Sequence, residues 1–170
     1  GPGREEKRKE VRKLVGEKNP VILCIQETKL GVCDDFLCAS LWGNSPHDFF
    51  YRLLVGASGG LLIMWDTVEV EVWSPVSSDH VLMIHGWFLK DDEEFFLLNI
   101  YAPCDNGAKQ ILWDSLTSRL QQLGGKNVCA CDGPVVGVVR SLSPVVVSRR
   151  GKLGSPPFAD AEVLARSPRL

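Results

Sequence analysis

Apolar and polar residues occur in blocks along the chain, and the spacing inside each block predicts helices and strands. Residues 4–18 carry Val11, Leu14 and Val15 at helical spacing. The Asn-Pro pair that follows, at 19 and 20, is typical of a helix end. The chain therefore begins with a predicted amphipathic helix.

An apolar run, residues 21–25, follows this helix and predicts a buried strand. The strand leads to Glu27, a carboxylate that costs free energy at the mouth of a core strand unless it is solvated, paired or bound to a cation. A solvated loop residue and a metal ligand are the two interpretations. A short helix is predicted next, over residues 34–41.

Short runs of aromatic and aliphatic residues fill the stretch from Phe49 to Tyr101 and predict strands separated by turns. The run 59–65, GGLLIMW, does not alternate and predicts a strand that is buried on both faces, whereas 68–73, VEVEVW, alternates and predicts one solvated face. A helix is predicted over 106–123 and another strand over 127–131. This order of elements predicts an α/β fold, a mixed two-sheet sandwich flanked by helices.

Length, composition and charge describe an ordinary globular chain of 170 residues, 45% hydrophobic and 24% charged. A net charge of −2 argues against a broad basic surface for nucleic acid, although an acidic site can meet phosphate through a divalent cation. The six cysteines form no paired CxxC zinc pattern, so we interpret them as reduced thiols in a reducing intracellular compartment, nucleus or cytoplasm. No apolar run approaches the length of a membrane span, and no membrane partner is expected.

The last part of the chain differs from the rest. Residues 134–170 hold six Lys and Arg against two Asp and Glu, and they are rich in Val, Ser and Pro. We predict one or two short strands there, followed by a poorly ordered end. The chain thus divides into a folded part, 1–133, and a divergent basic tail, 134–170.

Four motifs end apolar strands on polar or small residues: IQETKL with Glu27, SGGLLIMW at 58–65, NIYAP with Asn99 and Tyr101, and NVCACDG with Asp132. Each motif alone is weak, because solvated residues commonly end strands. In this order, together with the runs PVILCIQETKL and FFLLNIYAPCDNGAKQILWDSLTSRL, they resemble the endonuclease/exonuclease/phosphatase superfamily. Within it the chain looks most like the endonuclease domain of plant LINE-type (non-LTR) retrotransposons, over about residues 3–131.

The resemblance implies a fold, a reaction and residue roles. It implies Mg²⁺-dependent (or Mn²⁺-dependent) hydrolysis of DNA phosphodiester bonds, with DNA as partner and no small-molecule cofactor. Glu27 matches the family's metal ligand, and Tyr101 matches a tyrosine whose hydroxyl contacts the phosphate. Asn99 would face the same way on its strand and support the phosphate site.

Departures from the family pattern predict a truncated and degenerate copy. A metal-site Asn is expected on a strand before this chain begins, and a closing Ser-Asp-His is expected after residue 133, where nothing matches. The family's Gly-Asp-Phe-Asn corresponds here to Asp-Gly-Pro-Val at 132–135, where only Asp132 could replace the catalytic Asp by a one-residue slip. The expected domain is therefore an incomplete sandwich, about half of a family domain, and the apolar run 59–65 is expected to be exposed if missing strands would have covered it.

Three histidines are candidates that we set aside. The Ser-Asp-His at 78–80 precedes a strand in mid-chain, so Asp79 and His80 are predicted to be turn residues. His47 and His85 have no carboxylate or Cys partner at ligand spacing and are interpreted as structural. Two alternatives to a weakly active endonuclease remain open: a catalytically dead fragment that binds nucleic acid weakly through its basic tail, and a related abasic-site nuclease or phosphatase. The sequence leaves the oligomeric state open.

Overall fold

A computed structural model describes residues 2–26, 33–53, 60–78, 80–90, 92–123, 127–132, 136–139 and 146–149. Three helices lie in this part of the chain: α1 (Pro2–Lys18), α2 (Asp35–Trp42) and α3 (Asn106–Gln122). Its nine strands are β1 (Ile22–Gln26), β2 (His47–Leu53), β3 (Gly60–Asp66), β4 (Val70–Ser78), β5 (Val81–Phe88), β6 (Glu93–Ile100), β7 (Asn127–Asp132), β8 (Val136–Val139) and β9 (Val146–Arg149).

The strands form two sheets. The first has the order β2-β3-β1-β8 and is antiparallel throughout. The second has the order β4-β5-β6-β7-β9, in which β4, β5 and β6 are antiparallel while β7 and β9 run parallel to β6. Helix α3 connects β6 to β7, as a parallel pair of strands requires.

Apolar side chains separate the layers. Between the sheets, β1 and β3 contribute Ile22, Cys24 and Ile63, which pack against residues of β5 and β6 such as Leu82 and Leu97. Alternate residues of β1 and β3 face the other way and pack against α1 and α2, while the outer face of the second sheet packs against α3. The result is the predicted α/β sandwich of two sheets flanked by helices.

Local sequence signals account for the helix starts. The Asp34 side chain accepts a hydrogen bond from the backbone N–H of Leu37 (2.9 Å), and Asp105 accepts one from Ala108 (2.7 Å). Each aspartate thereby satisfies an amide that has no partner within the first turn of α2 or α3. In α3 the apolar stripe directs Trp113 and Leu116 onto the second sheet.

Two expectations about exposure have opposite outcomes. The non-alternating run in β3 is buried on both faces, as predicted, because the second sheet covers one face and α1 and α2 cover the other. The expectation that this run would be exposed in an incomplete domain is therefore wrong. In β4, Val70 is buried while Glu71 and Trp73 are exposed, which agrees with the predicted alternation.

The tail supplies two short strands, β8 and β9, one to each sheet. In β8, Val136 pairs with Ile25 and Val139 with Ile22. In β9, Val146 pairs with Cys129 and Arg149 with Asp132. The other tail residues, and with them the prediction of a poorly ordered end, lie outside the described residues.

Candidate functional site

The ends of β1 and β6 touch across the two sheets. Gln26, the last residue of β1, is 5% exposed, and its Nε2 donates hydrogen bonds to Oδ1 of Asn99 (3.1 Å) and to the backbone oxygen of Ile100. A buried amide that lacks partners costs about 1–3 kcal/mol, so these bonds oppose separation of the two strand ends. They place the points where the chain leaves β1 and β6 at one edge of the sandwich.

Asn99 completes this link between the sheets. It is fully buried on β6, and its Nδ2 donates to the backbone oxygens of Ile25 and Leu62, each at 3.1 Å. An asparagine side chain has two N–H donors, and both are directed at carbonyls of the first sheet. Its predicted support of a phosphate site stays a prediction, and the structure shows a second role, which is to join the two sheets.

Gln26 is the residue of this link that the sequence interpretation missed. The signal was a polar amide at the end of the otherwise apolar run 21–25. Buried polar side chains are normally hydrogen-bonded, so such a residue predicts a specific partner. The partner could not be identified from the sequence, because Gln26 and Asn99 are 73 positions apart.

Tyr101 directly follows β6 at the same edge. Its backbone N–H donates to the backbone oxygen of His80 (2.8 Å), which holds the residue beside the start of β5. The side chain is half-buried and packs against the apolar cluster between the sheets. Its predicted contact with a phosphate stays a prediction.

Asp132 ends β7, the strand next to β6 in the second sheet. The two strands are parallel, and Asn99 pairs with Cys131, so the backbone of Asp132 lies level with the end of β6. Parallel strands bring their carboxyl ends to one edge of a sheet. The carboxyl ends of β1, β6 and β7 therefore gather at the same edge of the sandwich.

Glu27, the predicted metal ligand, lies outside the described residues. It follows Gln26 directly in the sequence. Within the described ranges, no three His, Cys, Asp or Glu side chains come together in a way that could hold a metal ion. These residues alone do not form a metal centre.

The histidines have mixed outcomes. His80 has φ = 68°, a left-handed backbone conformation typical of turns, and it precedes β5 as predicted; Asp79 lies outside the described residues. His85 has no carboxylate partner at ligand spacing in the sequence, and its partner comes from the neighbouring strand, where Oε2 of Glu94 lies 2.7 Å from its Nε2. His85 also stacks on Phe96 with ring centroids 4.2 Å apart. Sequence spacing could not reveal Glu94, since pairing between strands brings the two together.

A cleft of about 270 Å³ lies away from the ends of β1 and β6. Residues of α1, the segment after α2 and the end of β3 line it, including Arg12, Trp42 and Asp66. The backbone N–H of Asp66 donates to the backbone oxygen of Val21, just before β1, so this cleft is at the edge opposite Gln26. It contains none of the predicted site residues.

Sequence comparisons with protein families and with curated proteins give no match. Comparison with solved structures gives matches to the catalytic domain of human Nocturnin with bound sulfate (TM-score 0.59, 11% identity) and to truncated TDP2 of Caenorhabditis elegans (TM-score 0.55, 16% identity). An endonuclease/exonuclease/phosphatase family protein of Bacteroides thetaiotaomicron matches with a TM-score of 0.56 and 14% identity.

These matches share one pattern of coverage. Each covers 75% of this chain, and the chain covers 55%, 54% and 52% of Nocturnin, TDP2 and the Bacteroides protein respectively. The chain thus spans about half the length of the solved structures that it matches.

No helix in the described part is long and apolar enough to cross a membrane. The chain has the two-sheet α/β fold of the endonuclease/exonuclease/phosphatase family.

Proposed function

We propose that this chain is a remnant of a plant LINE-type retrotransposon endonuclease. Such an enzyme hydrolyses DNA phosphodiester bonds, and this chain is expected to have little or no activity. Mg²⁺ or Mn²⁺ is the proposed cation and DNA the proposed partner. The fold is shared with proteins whose family name includes nucleases and phosphatases. The sequence motifs around Glu27 and Tyr101 favour the nuclease among these reactions.

The contact between Gln26 and the end of β6 is the observation that carries the proposal. Gln26 donates to Asn99 and Ile100, and the next residues in the sequence are Glu27 after β1 and Tyr101 after β6. In the proposed site, the Glu27 carboxylate supplies a hard oxygen ligand to the cation, as Mg²⁺ prefers. The Tyr101 hydroxyl contacts the phosphate.

Low activity is expected because residues 132–135 lack the amide that follows the catalytic Asp in the family. Catalytic groups act as a unit, so the loss of one removes most of the benefit of the others. Asp132 stands where a one-residue slip could bring the family's catalytic Asp, but Pro134 and Val135 have no side-chain amide for the phosphate. The Asn99 amide cannot replace it without giving up its bonds to Ile25 and Leu62.

Nicking of supercoiled plasmid DNA with Mg²⁺ tests this proposal. The expected result is little or no conversion to the open circle, and no change when Glu27 is replaced by Ala. Glu17→Ala is the matched control, because it removes an exposed carboxylate from α1. Robust nicking that Glu27→Ala abolishes and Glu17→Ala preserves would contradict the low activity and show a competent site.

Weak nucleic-acid binding through the basic tail is a second candidate, and one observation favours it. The register of β7 and β9 pairs Arg149 with Asp132, so β9 ends at the edge at which β1, β6 and β7 end. Arg150 and Lys152 follow in the sequence. Cationic residues bind phosphates without a catalytic site, and the affinity falls as salt rises.

Substitution of Arg149, Arg150 and Lys152 by Ser tests this second candidate. Binding to double-stranded DNA is expected to weaken, and the dependence of its affinity on salt is expected to become shallower. Unchanged affinity and salt dependence would rule out the tail as the binding element. For the compartment, we propose a reducing intracellular setting, nucleus or cytoplasm, and the free thiols of Cys24, Cys33, Cys38 and Cys104 support this proposal.

A further inference from the structure

Two free cysteines, Cys33 and Cys38, lie together at the start of α2. The Sγ atoms of Cys33 and Cys38 are 3.7 Å apart and share a hydrogen bond. Cys33 is half-buried, just before the helix, whereas Cys38 is fully buried within it. The pair is therefore asymmetric, with one thiol in reach of solvent and one beneath it.

The surroundings differentiate the two thiols chemically. The hydrogen bond from Cys38 lowers the pKa of Cys33, against the opposing effects of burial and of the Asp34 carboxylate. The same hydrogen bond, together with burial, raises the pKa of Cys38. A thiolate at Cys33 is thus stabilised by a neighbouring S–H, and the thiolate is the reactive form of cysteine.

We propose that Cys33 and Cys38 form a redox-reactive dithiol site that peroxide converts to an intramolecular disulfide. Cys33 is the residue that reacts with the oxidant, and Cys38 is the resolving residue. The site is independent of phosphodiester chemistry, since it uses neither Glu27 nor Tyr101. The Sγ atoms have to approach from 3.7 Å to the bond length of about 2.05 Å.

The reaction is balanced with hydrogen peroxide as the oxidant. The Cys33 thiolate attacks one oxygen of the peroxide, an S–O bond forms, the O–O bond breaks, and the leaving hydroxide takes a proton to become water. The Cys38 sulfur then gives up its proton and attacks the Cys33 sulfur: the S–S bond forms, the S–O bond breaks, and the leaving hydroxide takes the Cys38 proton to become the second water. Two thiols lose two electrons in total, and one peroxide becomes two waters.

Both cysteines fall in a single tryptic peptide, so the mass of that peptide reports the disulfide. Trypsin cleaves after Lys29 and Arg52, and peptide 30–52 contains Cys33 and Cys38 with no other cysteine. A disulfide lowers the mass of this peptide by about 2 Da, the mass of two hydrogen atoms. Cys104, which is exposed and lies in a different tryptic peptide, reports the oxidation of an unpaired thiol.

The experiment treats the folded, reduced full chain with hydrogen peroxide, blocks the remaining thiols at low pH and maps the peptides. The expected result is the disulfide in peptide 30–52 before oxygen adducts accumulate at Cys104, with reversal by dithiothreitol. In Cys38→Ala, Cys33 is expected to collect oxygen adducts and no disulfide. In Cys33→Ala, Cys38 is expected to stay reduced, because it is fully buried.

Alkylation of the unsubstituted chain by iodoacetamide provides a second measurement, which does not depend on the Cys38→Ala variant. At pH 7 Cys33 is expected to react faster than the more exposed Cys104, because the neighbouring S–H of Cys38 stabilises the Cys33 thiolate. The proposal is overturned if peptide 30–52 stays reduced while Cys104 is oxidised. It is equally overturned if Cys33 gains only oxygen adducts in the native chain, or reacts more slowly than Cys104 at pH 7.

Discussion

Asn99 offers a direct test of how the two sheets are joined. Its side chain makes three hydrogen bonds across the sandwich, to Ile25, Leu62 and Gln26, and it is fully buried. Asn99→Ala removes all three. A buried hydrogen bond contributes about 1 kcal/mol net, so the substitution is expected to lower the free energy of unfolding by about 3 kcal/mol. For a chain of this length that corresponds to a fall in Tm of roughly 6–12 °C.

Urea unfolding followed by circular dichroism measures this loss, and a double-mutant cycle assigns it. Asn99→Ala, Gln26→Ala and the double variant are compared with the unsubstituted chain. The coupling energy between the two positions is expected to be about 1 kcal/mol, because each single variant already breaks their shared bond. Asn44→Ala is the control, since Asn44 is exposed and its loss is expected to change stability by less than about 0.5 kcal/mol.

Two results would refute this reasoning. If Asn99→Ala costs no more than Asn44→Ala, the amide does not join the sheets in solution. If the effects of Asn99→Ala and Gln26→Ala are additive, the bond between their side chains contributes nothing. A cost of about 3 kcal/mol with clear coupling supports the observed network.

Three further substitutions test local packing and capping. Gly86→Ala is expected to destabilise the chain by about 1–3 kcal/mol, because the added Cβ would overlap the backbone oxygen of Glu71. Gly16→Ala is expected to stabilise the chain by about 0.5–1 kcal/mol, because the added Cβ in α1 meets nothing within 4 Å. Equal effects of the two substitutions in thermal melts would contradict this. Asp105→Ala is expected to cost about 1 kcal/mol in urea unfolding, because Ala108 loses its capping acceptor, and an unchanged midpoint would show that the cap contributes nothing.

Local patterns predicted much of the fold. The helical spacing of Val11 and Leu14 predicts α1, and the unbroken apolar run of β3 predicts burial on both faces; both are confirmed. These signals are local because a residue's periodicity and its chance of burial depend on close neighbours in sequence. The pairing of tail strands β8 and β9 with different sheets is a long-range property, and composition indicated only that short strands were possible.

The candidate site was less accessible to sequence reasoning. Glu27, Tyr101, Asn99 and Asp132 were selected by resemblance, and their chemical roles stay predictions. The hydrogen bond between Gln26 and Asn99 was missed, because the spacing of residues along the sequence does not indicate which distant strands are bonded. The partner of His85 was missed for the same reason, since only the antiparallel pairing of β5 and β6 brings Glu94 beside it.

The central proposal is that Glu27, which follows β1 in the sequence, and Tyr101, which follows β6, share one site. A crystal structure of the full chain grown with Mn²⁺ tests this most directly, because the anomalous signal locates the cation. We predict Mn²⁺ within ligand distance of the Glu27 carboxylate, in a cleft that the Tyr101 hydroxyl also faces. Glu27 and Tyr101 at opposite edges, or Mn²⁺ bound only at other residues, would contradict the account.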